Sequence, residues 1–309
     1  MEGEAVKQVK VRPGMTAGEL VGELEASGAF NGGSLAKACR VTEAMFRDEK
    51  ATTFLGLAGA MVPAGMGGIV ADLIDLGYVD VLVSTGANLV HDMVEAIGCR
   101  HYHGSAECSD NDLRRKGINR IYDVYVSDDA FTRFEEYIQG VFGNLRDGTV
   151  ISTSELLGMV GTNLSSGILA TAARKGVPVY CPAVSDSVFG LQFSLFTQTH
   201  HVMVDAFRDM KGFLDRCITS EGAGALLIGG GVPKNFIFQG MLLAPHGFTY
   251  AVQLTGDRPD LGGLSGATLD EARSWGKLTA EAQGVTVYGD ATITLPILAA
   301  AVLERLSRG

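Results

Sequence analysis

The sequence predicts an α/β protein with a doubly wound open parallel sheet and helices on both faces. From residue 51 onward, short apolar segments alternate with segments of helical periodicity. Loops rich in glycine and alanine join several of the apolar segments to the following helix. Buried parallel strands joined by crossover helices produce this pattern, because both faces of each strand are covered. We therefore expect one α/β domain over residues 51–309, preceded by a peripheral helical segment over residues 1–50.

The N-terminal segment is predicted to form two helices. Thr16 and Glu19 have the spacing of a capping box, in which each side chain bonds to the other residue's backbone N–H. Gly28 and the glycine pair at 32–33 are expected to end this first helix. Residues 34–48 are predicted to form the second helix.

The predicted strands of the domain are short apolar runs, several of which end in a loop of small residues. They are residues 53–57, 79–84, 120–126, 177–181, 225–228, 250–254 and 285–288. The predicted helices are residues 66–76, 89–97, 130–145, 152–159, 168–175 and 293–306. Ligands of open parallel sheets bind where the strands end, so the loops that follow strands are the candidate binding loops.

Composition and charge narrow the class of protein. The 309 residues are 46% hydrophobic and carry a formal charge of −10. This charge argues against sequence-independent nucleic-acid binding and is compatible with a cationic substrate or a basic protein partner. The five cysteines are widely spaced without a CxxC pair, which favours a reducing, cytoplasmic compartment. The N-terminus lacks an apolar signal segment and no uncharged apolar run reaches about 18 residues, so we expect no membrane span.

Two further patterns are tested against known templates. Six potential metal ligands lie close together in the sequence, and they are His91, Cys99, His101, His103, Glu107 and Cys108. Their spacing matches no zinc template, so we expect no metal site. The chain also lacks a GxSxG elbow and a GxxxxGKS/T loop, which argues against a hydrolase of the first type and against a P-loop NTPase.

Three loops rich in small residues follow predicted strands. Gly59–Gly65 and Thr85–Asn88 could hold a pyrophosphate on backbone N–H groups at a helix start, but neither has GxGxxG spacing. From these residues alone, ligand binding and tight packing both remain open. In the third loop, Gly229–Gly231, three consecutive glycines each cost about 0.5–1 kcal/mol within regular structure. That cost favours a functional loop, where a ligand or another chain segment approaches the backbone closely.

The segment 262–277 contains the only tryptophan of the chain, Trp275, two residues before Lys277. A lysine amine held against an aromatic ring is partly desolvated, which increases its nucleophilicity. From the spacing alone, however, a solvated surface lysine beside a core tryptophan is the simpler interpretation.

The run Glu271-Ala-Arg-Ser-Trp275-Gly-Lys277 resembles the active-site motif of deoxyhypusine synthases. Further segments resemble that family in the same order along the chain. They are Phe54–Gly56, Val81–Val83, Gly117–Ile121, Pro182–Ala183 with Asp186, Gly229–Val232 with Lys234, and Val287–Tyr288 with Asp290–Ala291. The resemblance extends over roughly residues 50–305, and the forms of segments 84–88 and 232–235 resemble the archaeal-type branch of the family.

The resemblance implies a Rossmann-like fold of the deoxyhypusine synthase type, NAD as cofactor, and a homotetramer with active sites at subunit interfaces. The implied reaction transfers the aminobutyl group of spermidine to one lysine of translation factor 5A. In it, NAD removes a hydride beside a spermidine nitrogen, and Lys277 captures the imine with release of diaminopropane. After transfer to the acceptor lysine, the NADH reduces the new imine, so NAD is not consumed.

The same resemblance implies the roles of individual residues. Lys277 is expected to be the nucleophile, Glu271 to hold an ammonium group, and Trp275 to contribute a cation–π contact of about 0.5–2 kcal/mol. The positions that match the cofactor site are Gly59, Ala60, Met61, Thr85, Gly86, Asp186, Gly230, Asp290 and Ala291.

Four positions of the amine-binding end differ from animal and fungal members of the family. His91, Leu191 and Leu264 stand where those members carry an acid, and Asn235 stands where they carry a histidine. Fewer carboxylates should weaken the binding of a polycation. Two alternatives therefore stay open, namely agmatine as the donor, and a small-amine acceptor as in a homospermidine-type synthase. A non-catalytic NAD-binding module would require Lys277 to be buried and salt-bridged away from any cleft.

Overall fold

The structure is a computed structural model that describes residues 3–308. The chain divides into two compact units. Of the described residues, 3–57 and 213–308 form one, which we call the terminal unit, and residues 58–212 form the other, which we call the middle unit.

The helices of the described residues follow in chain order. They are α1 (Ala17–Ser27), α2 (Phe30–Arg47), α3 (Gly67–Asp75), α4 (Gly86–Ala96), α5 (Asp110–Arg115), α6 (Asp128–Phe142), α7 (Thr153–Thr162), α8 (Gly167–Lys175), α9 (Val188–Phe196), α10 (Phe207–Thr219), α11 (Gly231–Gly240), α12 (Leu269–Ser274) and α13 (Ala291–Ser307). A short 3₁₀ helix covers Pro259–Leu261.

The strands of the described residues are β1 (Ala51–Leu57), β2 (Val81–Ser84), β3 (Tyr102–His103), β4 (Ile118–Ile121), β5 (Val124–Ser127), β6 (Val150–Ile151), β7 (Val179–Tyr180), β8 (Met203–Val204), β9 (Gly222–Ile228), β10 (Phe248–Thr255) and β11 (Leu278–Tyr288).

The terminal unit is built on four parallel strands in the order β11, β10, β9, β1. Helices α2 and α13 pack against strands of this sheet, α11 packs against β1, and α12 packs against β11. Phe54 is fully buried, and its ring centroid lies 5.9 Å from that of Phe213 and 5.7 Å from that of Phe248. The edge-to-face contacts of these rings form the centre of the apolar core of the unit.

The middle unit contains the parallel pair β2–β7, a three-stranded antiparallel sheet in the order β3, β5, β4, and the short parallel pair β6–β8. Its helices pack mainly on one another: α8 contacts α3, α4 and α7, while α9 contacts α4 and α6. The parallel strands flanked by helices in both units confirm the predicted α/β class.

Two local predictions are wrong. The strand predicted over residues 120–126 is a hairpin of β4 and β5, because Tyr122 adopts a φ of 53° and turns the chain. Gly28 ends α1 with a φ of 63°, whereas Gly32 and Gly33 lie inside α2. A Cβ atom on Gly33 would lie 2.5 Å from the carbonyl carbon of Gly28, so this glycine permits the tight turn between the two helices.

The N-terminal helices α1 and α2 pack on each other and on α13 within the terminal unit. The capping box predicted at Thr16 and Glu19 is present. The division of the chain into domains at residue 50 stays a prediction. Within residues 3–308, no single helix is long and apolar enough to cross a membrane, and only α7 and α8 together, bent by 99°, meet that length and composition.

Candidate active site

Lys277 directly follows a helix C-terminus of defined geometry. The N–H of Gly276 donates to the carbonyl of Arg273 at 2.9 Å, and the N–H of Lys277 donates to the carbonyl of Ala272 at 3.0 Å. These two bonds are those of a Schellman motif, which requires a left-handed residue after the C-cap. Gly276 has that conformation, with a φ of 70°. The order Trp-Gly-Lys is therefore the sequence of a helix end that places Lys277 directly before the first residue of β11, Leu278.

The Lys277 side chain lies beside Trp275. Its Nζ atom is 5.6 Å from the centroid of the indole ring, within the range of a cation–π contact. Lys277 is half-buried, while Trp275 is 65% exposed. The carbonyl of Lys277 accepts a hydrogen bond of 2.9 Å from the N–H of Phe248, which fixes the backbone at this position. The backbone is thus held, and the half-buried Lys277 side chain lies next to an exposed aromatic ring.

The short helix α12 is anchored at both ends. The Thr268 hydroxyl accepts from the N–H of Glu271 at 3.0 Å and caps the start of the helix. The Arg273 guanidinium donates to three carbonyls of β11, those of Thr279, Ala280 and Ala282, at 2.5–2.9 Å. Since Lys277 lies between α12 and β11, these bonds hold its position. Glu271 itself is exposed in the first turn of the helix.

The loop of three glycines packs against the segment that precedes α12. A Cβ atom on Gly230 would lie 2.5 Å from the Cα of Ser265, so only glycine fits there. The Gln253 amide donates to the carbonyls of Gly229 at 2.9 Å and Ser265 at 2.7 Å, which ties the two segments together. Close packing thus accounts for Gly230, whose predicted contact with a cofactor stays a prediction.

Lys234 is a buried cation whose position had no assigned role in the sequence. It is 3% exposed, and its Nζ donates to Gln253 Oε1 at 3.0 Å and to the carbonyls of Leu264 and Ala267. Burial lowers the pKa of Lys234 to about 8, and the charge of Glu271 opposes this shift. Lys234 therefore links α11 to the segment that carries Leu264 and leads into α12, a contact that only the fold creates.

The other predicted residues of the terminal unit lie at helix ends or on the surface. Asn235 is half-buried, next to Lys234 on α11, and Leu264 is 45% exposed. Asp290 is exposed and caps α13, where its carboxylate accepts from the N–H and the hydroxyl of Thr292, both at 2.8 Å. Ala291 is buried as the first residue of that helix. Cap formation gives Asp290 a structural role in addition to the predicted one.

In the middle unit, Asn88 joins the two candidate cofactor loops. Its side chain accepts from the N–H of Val62 at 3.1 Å and donates to the carbonyl of Gly59 at 2.7 Å. It also donates to the hydroxyl of Thr85 at 3.2 Å, and that hydroxyl accepts from the Asn88 N–H at the start of α4. Asn88 is only 1% exposed, so the contacts are shielded from water. Gly59 and Ala60 remain exposed and Met61 is half-buried. The buried Asn88 side chain therefore holds the loop from its protein-facing side.

Gly86 has a packing requirement of its own. A Cβ atom there would lie 2.5 Å from the Cβ of Ser187, the N-cap of α9. Asp186, the residue before this cap, is exposed. Tight packing therefore explains Gly86, while the backbone at Gly59 is exposed and its predicted contact with a cofactor stays a prediction.

His91 lines a cleft of about 520 Å³ within the middle unit. Its Nδ1 lies 2.8 Å from Nε2 of His101, and Nδ1 of His101 lies 2.7 Å from Oε1 of Glu95. Burial, followed by the nearby His101, lowers the pKa of His91 to about 4. The cleft also presents Phe131 and Glu135 of α6. Leu191, the remaining predicted residue of this unit, is 62% exposed on α9.

Each unit therefore holds its own part of the predicted site. The terminal unit carries Gly230, Asn235, Leu264, Glu271, Trp275, Lys277, Asp290 and Ala291. The middle unit carries Gly59, Ala60, Met61, Thr85, Gly86, His91, Asp186 and Leu191. The contacts that sequence reasoning missed are those of Asn88, Lys234 and the Glu95–His101 pair. Among residues 3–308, no group of three or more histidine, cysteine or acidic side chains is arranged to hold a metal ion.

Replacing Gly276 with alanine should lower both the stability of the fold and the rate of catalysis, whereas a matched glycine elsewhere should affect stability alone. The left-handed φ costs a residue with a Cβ about 1–2 kcal/mol, and relief of that strain would shift Lys277. We expect a stability loss of about 1 kcal/mol and a fall in transfer rate of about tenfold or more, measured by urea unfolding and by single-turnover kinetics. Gly176→Ala is the matched control, because Gly176 ends α8 with a φ of 69° and open space around it. Equal loss of activity in both variants would contradict a positioning role of Gly276.

The fold and site together define an α/β enzyme with a lysine presented beside an exposed aromatic ring. A family model described as deoxyhypusine synthase matches residues 19–302. The chain is 55% identical over 305 residues to "Probable deoxyhypusine synthase 1" of Methanosarcina mazei, covering 98% of this chain and 96% of that protein. It is 44% identical over 302 residues to a protein of the same name in Archaeoglobus fulgidus, covering 97% and 98%. The chain therefore belongs to the deoxyhypusine synthase family and is a transferase, as the resemblance of the Trp-Gly-Lys run predicted.

Comparison with solved structures supports the fold. The crystal structure of a "putative deoxyhypusine synthase from Entamoeba histolytica" superposes with a TM-score of 0.66 at 16% identity, covering 94% of each chain. At that identity the likeness shows the fold alone, and the predicted fold class is confirmed.

Proposed function

We propose that this protein transfers the aminobutyl group of spermidine to a specific lysine of translation factor 5A, forming deoxyhypusine through an imine on Lys277. The observation that carries the proposal is the Lys277 amine at 5.6 Å from the ring of Trp275, on a backbone held by a Schellman motif. No ion pair among residues 3–308 involves Lys277. The condition for a non-catalytic module, a buried and salt-bridged lysine, is therefore not met.

In this proposal Lys277 acts first as a nucleophile and then as a leaving group. Its neutral amine adds to the imine carbon of dehydrogenated spermidine, the carbon–nitrogen bond to diaminopropane breaks, and a protonated imine remains on Nζ. The amine of the acceptor lysine then adds to the same carbon and Lys277 leaves. Trp275 offers its exposed face to the aliphatic cation, and Glu271 offers a carboxylate to an ammonium end.

The residues of the strand-end loops fit a dinucleotide. The exposed Gly59–Ala60 backbone is held by the buried Asn88 side chain, so that a ligand meets a pre-organised surface. Gly59, Ala60, Met61, Thr85, Gly86, Asp186, Gly230, Asp290 and Ala291 would hold NAD. When bound, NAD supplies an acceptor for the hydride next to the amine nitrogen and returns it at the end.

Agmatine is a second candidate donor, favoured by an exposed leucine in each unit at a position of the predicted amine-binding end. Leu191 is 62% exposed and Leu264 is 45% exposed, so both present apolar surface where a carboxylate would attract a polycation. The lowered pKa of His91 keeps that side chain uncharged near neutral pH as well. A donor with fewer ammonium groups than spermidine suits this reduced charge. A small amine as the acceptor in place of a protein remains a further alternative.

The partner side of the proposal rests on charge and family membership. A formal charge of −10 suits a basic loop around the acceptor lysine of factor 5A, because opposite charges steer association. We also expect a cytoplasmic homotetramer whose active sites lie at subunit interfaces. Size-exclusion chromatography with light scattering would measure the assembly directly.

Imine trapping tests the proposed function. The full chain is incubated with NAD and either spermidine or agmatine, treated with borohydride, and mapped by peptide mass spectrometry. An aminobutyl adduct on Lys277 from spermidine supports spermidine as the donor. An adduct that forms from agmatine alone supports the same imine mechanism with agmatine as the donor. Absence of an adduct from both amines, with NAD bound, would reject Lys277 as the carrier. To identify the acceptor, factor 5A or the small amine putrescine is added to the untrapped enzyme, and the one that gains the aminobutyl group is found by mass spectrometry.

A further inference from the structure

We propose that Glu95 and His101 fix the tautomer of His91 so that its Nε2 atom accepts a hydrogen bond from the ammonium or guanidinium end of the amine donor. The inference rests on the proposed function and names the group in the middle unit that would hold one end of that donor. Glu95 and His101 are positioning residues in it, since only His91 would contact the amine.

The direction of each hydrogen bond follows from what each group can donate. Glu95 Oε1 only accepts, so Nδ1 of His101 carries a proton and donates to it at 2.7 Å. The His101 backbone N–H also donates to Oε1 at 2.9 Å, and Arg100 donates to Oε2 at 3.1 Å. Because the Arg100 guanidinium already neutralises this carboxylate, we assign His101 its uncharged form, with the single N–H on Nδ1. Its Nε2 is then a bare acceptor.

The same reasoning determines which ring nitrogen of His91 carries the proton. Its Nδ1 lies 2.8 Å from the bare Nε2 of His101, so Nδ1 of His91 must carry the proton and donate. A neutral imidazole has one N–H, which leaves Nε2 of His91 without a proton. Within residues 3–308, Nε2 has no hydrogen-bond partner, although His91 lines the cleft. An unused acceptor on a ring whose orientation is set by a second pair is the arrangement expected of a ligand contact.

The cleft around His91 suits an aliphatic cation. Apolar side chains of Ile121, Val126 and Phe131 line it, together with the carboxylates of Asp128 and Glu135. Asp128 is already engaged, because it accepts from Asn119 at 2.7 Å and pairs with Arg114 at 3.6 Å. Glu135 is exposed and forms no ion pair with any described residue. A ligand with a hydrocarbon chain and a nitrogen donor at its end can therefore contact apolar walls, one carboxylate and the neutral His91 acceptor.

Replacing His101 with phenylalanine removes the positioning bond and keeps an aromatic ring against His91, at a centroid separation of 4.8 Å in the wild type. His91 would then be free to carry its proton on Nε2, where it would face the cationic donor as a second donor. Loss of a hydrogen bond to a charged group should weaken binding of agmatine and spermidine by about 10- to 100-fold. Isothermal titration calorimetry of the full chain in the presence of NAD measures the affinity for each amine. The same measurement on His91→Ala and on the His91→Ala, His101→Phe double variant completes a double-mutant cycle.

The cycle separates positioning from general damage to the fold. In the His91→Ala background the His101→Phe change should have no further effect, because the atom that it positions is gone. His200→Phe is the matched control. His200 stacks on Phe196 at 4.0 Å and does not line the cleft, so amine affinity should stay within about twofold of the wild type.

Nuclear magnetic resonance of the ¹⁵N-histidine-labelled chain reports the tautomer without any ligand, and the six histidines keep the spectrum simple. We expect His91 with a protonated Nδ1 and a bare Nε2, and a shift of the Nε2 resonance when agmatine is added. A proton on Nε2 of wild-type His91, or unchanged amine affinity in His101→Phe, would overturn the inference. If Lys277 adducts still form in that case, the proposed function stands. If the wild type binds neither amine and forms no adduct, both are rejected.

Discussion

Replacing Lys277 with arginine is expected to reduce aminobutyl transfer by about four orders of magnitude or more, because covalent catalysts lose most of their rate with their nucleophile. Arginine keeps the positive charge and the contact with Trp275. Its guanidinium stays protonated and does not form an imine. Single-turnover assays with NAD and spermidine would measure the loss, and borohydride trapping should yield no adduct in the variant.

The control for this substitution is Lys50→Arg. Lys50 is exposed and pairs with Glu221 at 3.5 Å, so the same chemical change there should leave the transfer rate unchanged. NAD binding by Lys277→Arg should equal that of the wild type, since Lys277 is not among the predicted cofactor contacts. Transfer by Lys277→Arg within tenfold of the wild-type rate would show that another group carries the aminobutyl moiety.

Replacing Asp92 with alanine should lower the free energy of unfolding by about 2–4 kcal/mol at pH 7. The carboxylate is 3% exposed and accepts from the N–H groups of Ile168 at 2.7 Å and Leu169 at 2.9 Å, at the start of α8. Gly167 allows the backbone to approach the carboxylate closely, since a Cβ atom at this position would lie 2.6 Å from Asp92 Oδ1. Removing the carboxylate leaves two buried donors unpaired and a small cavity. Urea unfolding measures the change.

The same group predicts a dependence on pH. Burial raises the pKa of Asp92 to about 6 from the usual 3.8, so between these values the folded chain binds more protons than the unfolded chain. The stability from this group is therefore full below pH 3.8 and is lost as the pH rises through 6. Asp92→Ala lacks this contribution, so the stability difference between the wild type and the variant should be larger at pH 4 than at pH 7.

Asp72→Ala controls for the loss of an acidic side chain from a helix of the same unit. Asp72 is exposed on α3, so its replacement should change stability by less than about 0.5 kcal/mol at either pH. A difference between wild type and Asp92→Ala that grows from pH 4 to pH 7 would contradict the assigned direction of the Asp92 shift.

Local patterns predicted the parts of the fold that local physics controls. The capping box at Thr16 and Glu19 is present because its bonds join residues three apart in the sequence. The hairpin turn at Tyr122 was missed, because a tyrosine rarely adopts a left-handed conformation and Asp123 beside it is a weak turn signal on its own. Of the glycines, Gly28 follows the general rule for helix ends, whereas Gly33 reflects contact with another helix end.

The sequence by itself determined the α/β class, the Trp275–Lys277 motif and the family, since apolar periodicity and a contiguous motif can be read without knowing which segments meet. Only the tertiary structure decided which polar groups share a buried environment. Asn88 meets Gly59 across 29 positions, Lys234 meets Ala267 across 33, and Asp92 meets Ile168 across 76. Each of these side chains owes its partners, and Lys234 and Asp92 also their shifted pKa values, to neighbours that are brought together by folding.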